Sequence, residues 1–463
     1  MTLVAGVDCS TQSTKVHVYD AETGAEVRAG TAPHPDTTEI DPQIWWDAYQ
    51  KTADGLLDGV SALSVGGQQH GMVVLDDAGA VVRPALLWND TRSAPAAAAL
   101  TAELGGPQAW ADAIGSVLVA SFTITKLRWF AEHEPELAAR ASSVLLPHDW
   151  LTAKLAADPI AVTDRGDASG TGYFSAATGE YRTDLLAKAF GRELALPRIA
   201  APSEQVGETA GGIALGPGTG DNMAAALGLS LQPGDVVVSL GTSGTAFAVA
   251  DRSSTDASGA VAGFADATGR FLPLVCTLNA ARVVSAMASL LGVDLDRFND
   301  LAVSTPDSGG LVLLPYLDGE RTPDLPLSRG LLQGLSRTNA TPATLARATV
   351  EGMLCGLADG VDALRGQGVE VRRVLLIGGA AVSPAVQALA PAIFGVPVAV
   401  PQAGQYVARG AARQAAWVVR GGGEPPAWPI PALDLPSAPP ATEVRKAYAA
   451  VRDSATPLLS QTF

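Results

Sequence analysis

Apolar residues follow two rhythms along this chain. Short unbroken apolar runs closed by turn residues predict buried strands at positions 2–5, 16–20, 62–67, 236–240 and 374–377. Longer stretches with apolar positions three and four apart predict helices at 42–57, 93–104, 123–134, 341–364 and 384–394. The helix at 42 has a start signal, with Asp41 as N-cap and Pro42 at its first position. Strands and helices alternate in both halves, which predicts an α/β protein. Turn residues gather at 216–220 and again at 232–235, so the boundary is placed there. The expected domains are 1–230 and 231–420, followed by a proline-rich extension, 421–463, that crosses the surface and carries a short helix near 443–452.

One device occurs twice. Val4-Ala5-Gly6-Val7-Asp8 runs into Ser10-Thr11-Gln12-Ser13-Thr14-Lys15, and Val236-Val237-Val238-Ser239-Leu240 runs into Gly241-Thr242-Ser243-Gly244-Thr245. A turn whose N–H groups point inward, flanked by hydroxyls, is a nest for phosphate oxygens. A single such turn is an ordinary hairpin; the repetition points to two related lobes that close on one nucleotide.

Bulk properties narrow the partners. The chain has 463 residues, 47% hydrophobic and 17% charged, with a net charge of −16. That charge argues against nucleic acid or an anionic membrane and leaves an anionic nucleotide open, since the nucleotide needs only local donors. Cys9, Cys276 and Cys355 lie far apart, with no zinc or disulfide pattern. With no long apolar run and no leader ahead of the first strand, a cytoplasmic protein is expected.

Several residues could carry chemistry. Asp221 follows Gly218-Thr219-Gly220 and precedes Asn222 and a small-residue helix; it is either an N-cap or a general base projecting into a cleft. Asp8 is a turn-capping acid or a holder of Mg²⁺, which favours oxygen ligands and keeps its waters. Lys15 is a solvated lysine or a charge for phosphates. Gln69 and His70, bracketed by glycines after an apolar strand, suit sugar hydroxyls, although His70 alone reads as a core histidine. Trp88 and Asn89 offer an aromatic face and an amide, or a packing tryptophan beside a polar turn. Gly378, Gly379 and Ser383 form a strand–glycine–helix joint open enough for a planar base or ribose.

Taken together, these patches resemble the FGGY carbohydrate kinases over nearly the whole chain. Ser121, Thr123, Lys126, Leu127, Trp129, Phe130, Glu132 and His133 are similar to the first family signature. Gly330, Leu332, Gly334, Leu335 and 345–352 are similar to the second, which departs at Thr344. The 66–71 and 87–90 blocks resemble ketose-specific members; glycerol-specific members have an Arg-Glu pair at Gln69 and His70 and a substrate tyrosine at Ser121. The blocks 147–151 and 164–170 also match, mainly as scaffold. The resemblance implies a two-lobed actin/hexokinase-like (ribonuclease H-like) fold with a duplicated core and an interlobe catalytic cleft. It implies ATP and Mg²⁺ as cofactors and transfer of a phosphoryl group to D-xylulose, with another ketose or a polyol such as ribulose or D-arabinitol as the alternative. In that scheme Asp221 is the base, and Gln69, His70, Trp88, Asn89, Asp221 and Asn222 hold the sugar. Thr11, Gln12, Ser13, Lys15, Gly241 and Thr242 face the phosphates; Gly378, Gly379 and Ser383 lie at the adenosine; Asp8 belongs to the metal. Ala380 departs from the usual glycine run. A homodimer is compatible with this scheme. An actin-fold ATPase is the rival from another class, sharing both turns but having no use for the Gln69-His70 patch.

Overall fold

The structure is a computed structural model that describes residues 1–459. The final four residues of the expected 421–463 extension lie outside the described residues. The chain forms two compact units. The first holds Met1–Leu231, Ala250–Leu272 and Gly404–Pro429; the second holds Gln232–Val249, Pro273–Ala403 and the chain from Ile430 on.

The first unit is built on β1 (Leu3–Cys9), β2 (Ser13–Asp20), β3 (Glu26–Pro33), β4 (Val60–Gly67), β5 (Gly207–Glu208), β6 (Ala214–Leu215) and β7 (Thr219–Gly220). The sheet runs β5-β6-β4-β1-β2-β3, with β7 added beside the end of β4. Strands β1, β2 and β3 form an antiparallel meander, and β4 lies parallel to β1. In the second unit, β8 (Asp235–Leu240), β9 (Gly244–Ala248), β10 (Phe271–Thr277), β11 (Arg373–Ile377), β12 (Val398–Pro401) and β13 (Ala432–Asp434) run in the order β10-β9-β8-β11-β12-β13. Here β8 and β9 are antiparallel, β9 and β10 are antiparallel, and β11 is parallel to β8. Order and sense around β1 are repeated around β8, which is the duplicated ribonuclease H-like core.

Successive side chains of a strand point to opposite faces, and both faces of the first sheet are covered. On one face Ala5 and Val7 of β1, Val16 of β2, and Leu63 and Val65 of β4 pack with Trp45 from the helix Pro42–Ala53 and with Trp150. The Trp45 and Trp150 rings meet edge to face, with centroids 6.2 Å apart. That helix starts as expected, with Asp41 accepting from the Gln43 N–H and Pro42 in its first turn, and it ends at Ala53 rather than 57. On the other face Val4, Tyr19 and Ala62 pack against Ala412, Ala415 and Ala416 of the helix Tyr406–Arg420 and against Trp428. Trp428 is fully buried and donates its indole N–H to the Ala21 carbonyl at 3.1 Å. The stretch from Gly421 to Pro429, expected as a surface crossing, is therefore pinned into the first unit by this ring and by hydrogen bonds from Trp417 to the Gly423 carbonyl at 2.8 Å and from Arg413 to the Pro426 carbonyl at 2.7 Å. The expected helix near 443–452 is longer, Thr442–Leu459.

The helix Tyr406–Arg420 approaches its neighbours at backbone distance. A Cβ at Gly6 would fall 1.8 Å from the Ala408 carbonyl oxygen, at Gly228 2.1 Å from that of Tyr406, and at Gly410 1.8 Å from that of Ala224. Alanine is the better helix former by about 1 kcal/mol. Gly410→Ala should nevertheless destabilise the protein by about 1–3 kcal/mol through overpacking. Gly366→Ala, where a Cβ meets open space, serves as the control and should be neutral or better. Urea denaturation midpoints of the two variants check this; equal midpoints would show that the helices can separate at no cost.

Candidate active site

Register brings the first group of residues to one sheet edge. Asp8 lies opposite Lys15 in β2 and beside Gly66 in β4, while β7 sets Thr219 beside Gly66 and Gly220 beside Gly67. In sheets of parallel strands, ligands collect outside the carboxyl ends of those strands. Asp8 is buried and accepts from the Lys15 ammonium at 2.8 Å through Oδ2. Burial raises its carboxyl above the ordinary carboxylate range, with Lys15 opposing. Its Oδ1 has no hydrogen-bond partner.

The turn between β1 and β2 is closed by Ser10, whose N–H and hydroxyl both donate to the Ser13 carbonyl at 3.0 Å. Thr11 is tied to two other segments: its hydroxyl donates to Gln68 at 3.3 Å and accepts from the Trp88 indole at 2.9 Å. Gln12 is exposed at the tip. Trp88 thus stands beside the turn, half of it open to solvent, and Asn89 next to it keeps a buried Oδ1 without a partner. Neither the Thr11–Gln68 link nor the Thr11–Trp88 link is visible in sequence spacing.

Asp221 opens the helix Asp221–Gly228, but Gly220 is the N-cap and no side chain caps it. Asp221 is thus the first helical residue and not the N-cap, although its carboxylate still takes one of the helix's first-turn N–H groups. Its Oδ1 accepts from the Asn222 N–H at 2.8 Å and from Asn222 Nδ2 at 2.9 Å. Asn222 Nδ2 also donates to Gln69 Oε1 at 3.0 Å, which joins three of the expected residues. Burial, then the negative charges of Asp167 and Asp8, push the Asp221 carboxyl up to about 7. A carboxylate titrating there is matched to general-base work at neutral pH.

His70 is one of two non-glycine residues with positive φ among the described residues, at 68°. Such strain persists where the surroundings impose it. Here Nδ1 donates to the Gly170 carbonyl at 2.6 Å, which leaves Nε2 as the acceptor. The Thr123 hydroxyl donates to the His70 carbonyl at 3.1 Å, and the ring lies 5.1 Å from Phe122. Lys126, wholly buried in the same helix as Thr123, donates to the carbonyls of Ala120 and Ser121, and burial lowers its ammonium to about 7.

In the second unit, Ser239 pairs with Ile377, so Gly241 and Gly378 follow the ends of adjacent parallel strands. Gly378 has φ 89°, and a Cβ there would fall 2.7 Å from the Leu240 backbone, so the joint needs glycine. Gly379 opens a short 3₁₀ turn, Gly379–Val382, with open space at its Cβ position. Ser383 caps the helix Pro384–Phe394 through the Val386 N–H at 3.2 Å and donates to Asn299 at 2.6 Å. Thr242 is exposed, and the Arg282 guanidinium donates to its carbonyl at 3.2 Å. Asn299 and Arg282 carry no sequence signal, because both sit in helices distant along the chain.

Two family models match: the N-terminal domain of the FGGY family of carbohydrate kinases over residues 3–230, and the C-terminal domain over 236–419. The chain is 47% identical over 435 residues to the xylulose kinase of Streptomyces coelicolor, covering 90% of this chain and 88% of that one. It is 46% identical over 435 residues to the xylulose kinase of Streptomyces rubiginosus, with the same coverage. Among solved structures, the xylulose kinase of Bifidobacterium adolescentis superposes with a TM-score of 0.92 at 46% identity, covering 97% of this chain and 99% of that one. Kinases of this kind take ATP as co-substrate. No helix among the described residues is long and apolar enough to cross a membrane. The duplicated core, the paired strand-end turns and both domain matches make this chain a member of the FGGY family of carbohydrate kinases.

Proposed function

We propose that the protein catalyses ATP + D-xylulose → ADP + D-xylulose 5-phosphate. The observation that carries this reading is the hydrogen-bonded set Asp221–Asn222–Gln69 at the sheet edge that also presents Asp8 and Lys15. The relatives named xylulose kinase supply the choice of sugar.

In this reading Gln69, His70, Trp88 and Asn89 hold the ketose and direct its terminal hydroxyl at the γ-phosphorus. Asp221 accepts the hydroxyl proton as oxygen attacks in line, and the bond to the bridging oxygen of ADP breaks. Thr11, Gln12, Ser13, Lys15, Gly241 and Thr242 serve the phosphates. Gly378, Gly379 and Ser383 serve the adenosine. Phosphoryl transfer asks the protein mainly for positioning and charge compensation, which such a set provides.

Asp8 fits a divalent cation. Its Oδ1 is buried without a partner, and no cluster of three His, Cys, Asp or Glu able to hold a metal occurs among the described residues. A single carboxylate suits Mg²⁺, which keeps several waters and takes its remaining oxygens from phosphates. Bound there, Mg²⁺ would supply positive charge against the β- and γ-phosphate oxygens.

The sugar is tested by ADP release with Mg·ATP across D-xylulose, D-ribulose, L-ribulose, glycerol, D-arabinitol and D-gluconate, with a no-sugar control. D-xylulose should give the dominant signal; a stronger response to another sugar overturns the substrate and leaves the machinery standing. Asp221→Asn should lower kcat by roughly 10² or more, the contribution expected of a general base. Turnover within a few-fold of wild type would remove Asp221 from that role. The same base sets the pH profile: raised above the ordinary carboxylate value, it must lose its proton to act. kcat/KM for the sugar should therefore fall on the acid side, through a group titrating near 7, and not near that of a free carboxylate. Gln69→Ala should raise KM for the sugar and leave KM for ATP nearly unchanged, and the reverse pattern would move Gln69 to the nucleotide.

A further inference from the structure

Beside Gln69 lies a row of buried polar side chains that the transfer step itself does not use. His148 is wholly buried in the space that two glycines leave open. A Cβ at Gly67 would come 2.8 Å from the His148 Cβ, and one at Gly218 would come 2.5 Å from its Cδ2. His148 Nδ1 donates to Asp167 Oδ2 at 2.6 Å. Asp167 is equally buried and is fixed from the backbone side. The Asp164 carboxylate accepts from the N–H groups of Gly166 at 3.0 Å and Asp167 at 2.9 Å, and from the Thr219 hydroxyl at 2.7 Å. Burial disfavours the His148 cation, yet the carboxylates of Asp149 and Asp167 outweigh it and raise the imidazole above its ordinary value.

The row continues into the site. Gln69 Nε2 and Asp167 Oδ1 are both buried, and neither finds an ideal partner elsewhere. Gly170 lies between the two residues: its N–H donates to the Asp167 carbonyl at 2.9 Å, and a Cβ on it would fall 3.2 Å from Gln69 Nε2. The Gln69 amide also favours the ionised Asp167 carboxyl. Gln69 Oε1 accepts from Asn222 Nδ2 at 3.0 Å. Only one amide orientation suits both neighbours. Turned over, Gln69 would set its oxygen against a carboxylate and its NH₂ against the NH₂ of Asn222. Asn222 in turn donates to Asp221 Oδ1 at 2.9 Å. Glycines keep the row tight: a Cβ at Gly220 would come 2.8 Å from the Gln69 Cγ, and one at Gly170 would come 3.2 Å from its Nε2. A buried ion pair is a weak source of stability, because desolvation offsets its attraction. The pair ends instead on an amide at the site.

We propose that Asp167, anchored by His148, is a positioning residue for phosphoryl transfer: it fixes the orientation of the Gln69 amide and, through Asn222, the Asp221 carboxylate. This rests on the reading of Asp221 and Gln69 given under the proposed function.

The test is a double-mutant cycle on the full chain, with kcat measured at saturating sugar. Asp167→Asn keeps the shape but leaves one acceptor oxygen for two donors. It should lower kcat roughly 10- to 100-fold, the scale of a small misplacement of reacting groups. In the Gln69→Ala background the same substitution should cost less than about threefold, because residues acting as one unit are not additive. Equal losses in both backgrounds would overturn the proposal. So would unchanged kinetics accompanied only by a lower melting temperature, the result a purely structural pair would give. If Asp167→Asn does not fold, His148→Asn, which keeps a donor near the place of Nδ1, enters the same cycle. Failure of both variants to fold would assign the pair to the scaffold and also overturn the proposal. Asp221→Asn run alongside separates the two readings: wild-type turnover there refutes the base and leaves the cycle readable.

Discussion

Everything in the first unit depends on how closely the helix Tyr406–Arg420 can approach the sheet and the helix Asp221–Gly228. Gly6, Gly228 and Gly410 remove the side chains that would hold these backbones apart. Two arginines of the same helix then satisfy the far end of its neighbour. Arg413 donates to the Leu227 carbonyl at 2.7 Å and Arg409 to that of Gly228 at 3.2 Å. These are carbonyls that a helix C-terminus leaves without intrahelical partners, and cations there also complement the helix dipole. The helix axis is thus fixed at its C-terminal end by glycine contacts and arginine caps. The position of Asp221, at the first turn, follows from that axis. A carboxylate at the site is placed by packing some distance away from it.

The two copies of the core are alike in topology and different in charge. Counting back from the last paired residues of each hairpin, Asp8 opposite Lys15 in the first unit corresponds to Ser239 opposite Thr245 in the second. The ion pair therefore belongs to one copy, and the other presents hydroxyls. Their parallel neighbours differ as well: Gly66 stands beside Asp8, while Ile377 stands beside Ser239. The place a Cβ on Gly66 would take is filled by Val407 and Ala224, 2.8 and 3.2 Å away. The two turns share a topology; the acid and its lysine are found only in the first.

Much of this was legible in the sequence, and the rest was hidden for identifiable reasons. The strands that carry Asp8 and that lead into Gly241 were readable because they are unbroken apolar runs ending in hydroxyls and glycines, and the helix at Pro42 announced its start. The helix Tyr406–Arg420 gave no sign of returning to the first unit, since Ala408, Ala411, Ala412 and Ala415 look like any small-residue face. Trp428 stands among prolines, where composition suggests exposure, and only the ring-sized space beside Tyr19 and Gly24 shows why it is buried. Gln69, Asn222 and Asp221 were each legible as polar residues after glycines. Their joining by hydrogen bonds was not, because Gln69 and Asn222 are 153 positions apart and contacts of that range leave no local pattern. His148 and Asp167 read as scaffold for the same reason: nothing in either block indicates the other.

The charge balance at this sheet edge explains why so acidic a chain can handle a polyanion. Asp8, Asp167 and Asp221 crowd together, and the first two raise the cost of ionising the third. Lys15 compensates Asp8 and His148 compensates Asp167, so both charges are answered within hydrogen-bond distance. Burial raises the proton affinity of all three, but Asp221 has only amide and backbone donors and is the one with no cation beside it. That division assigns the three acids different tasks without any difference in side-chain chemistry. One is paired with a partly exposed lysine and keeps an oxygen without a partner, suited to a cation. One is locked to a buried imidazole, suited to holding an amide still. One is uncompensated, suited to taking a proton.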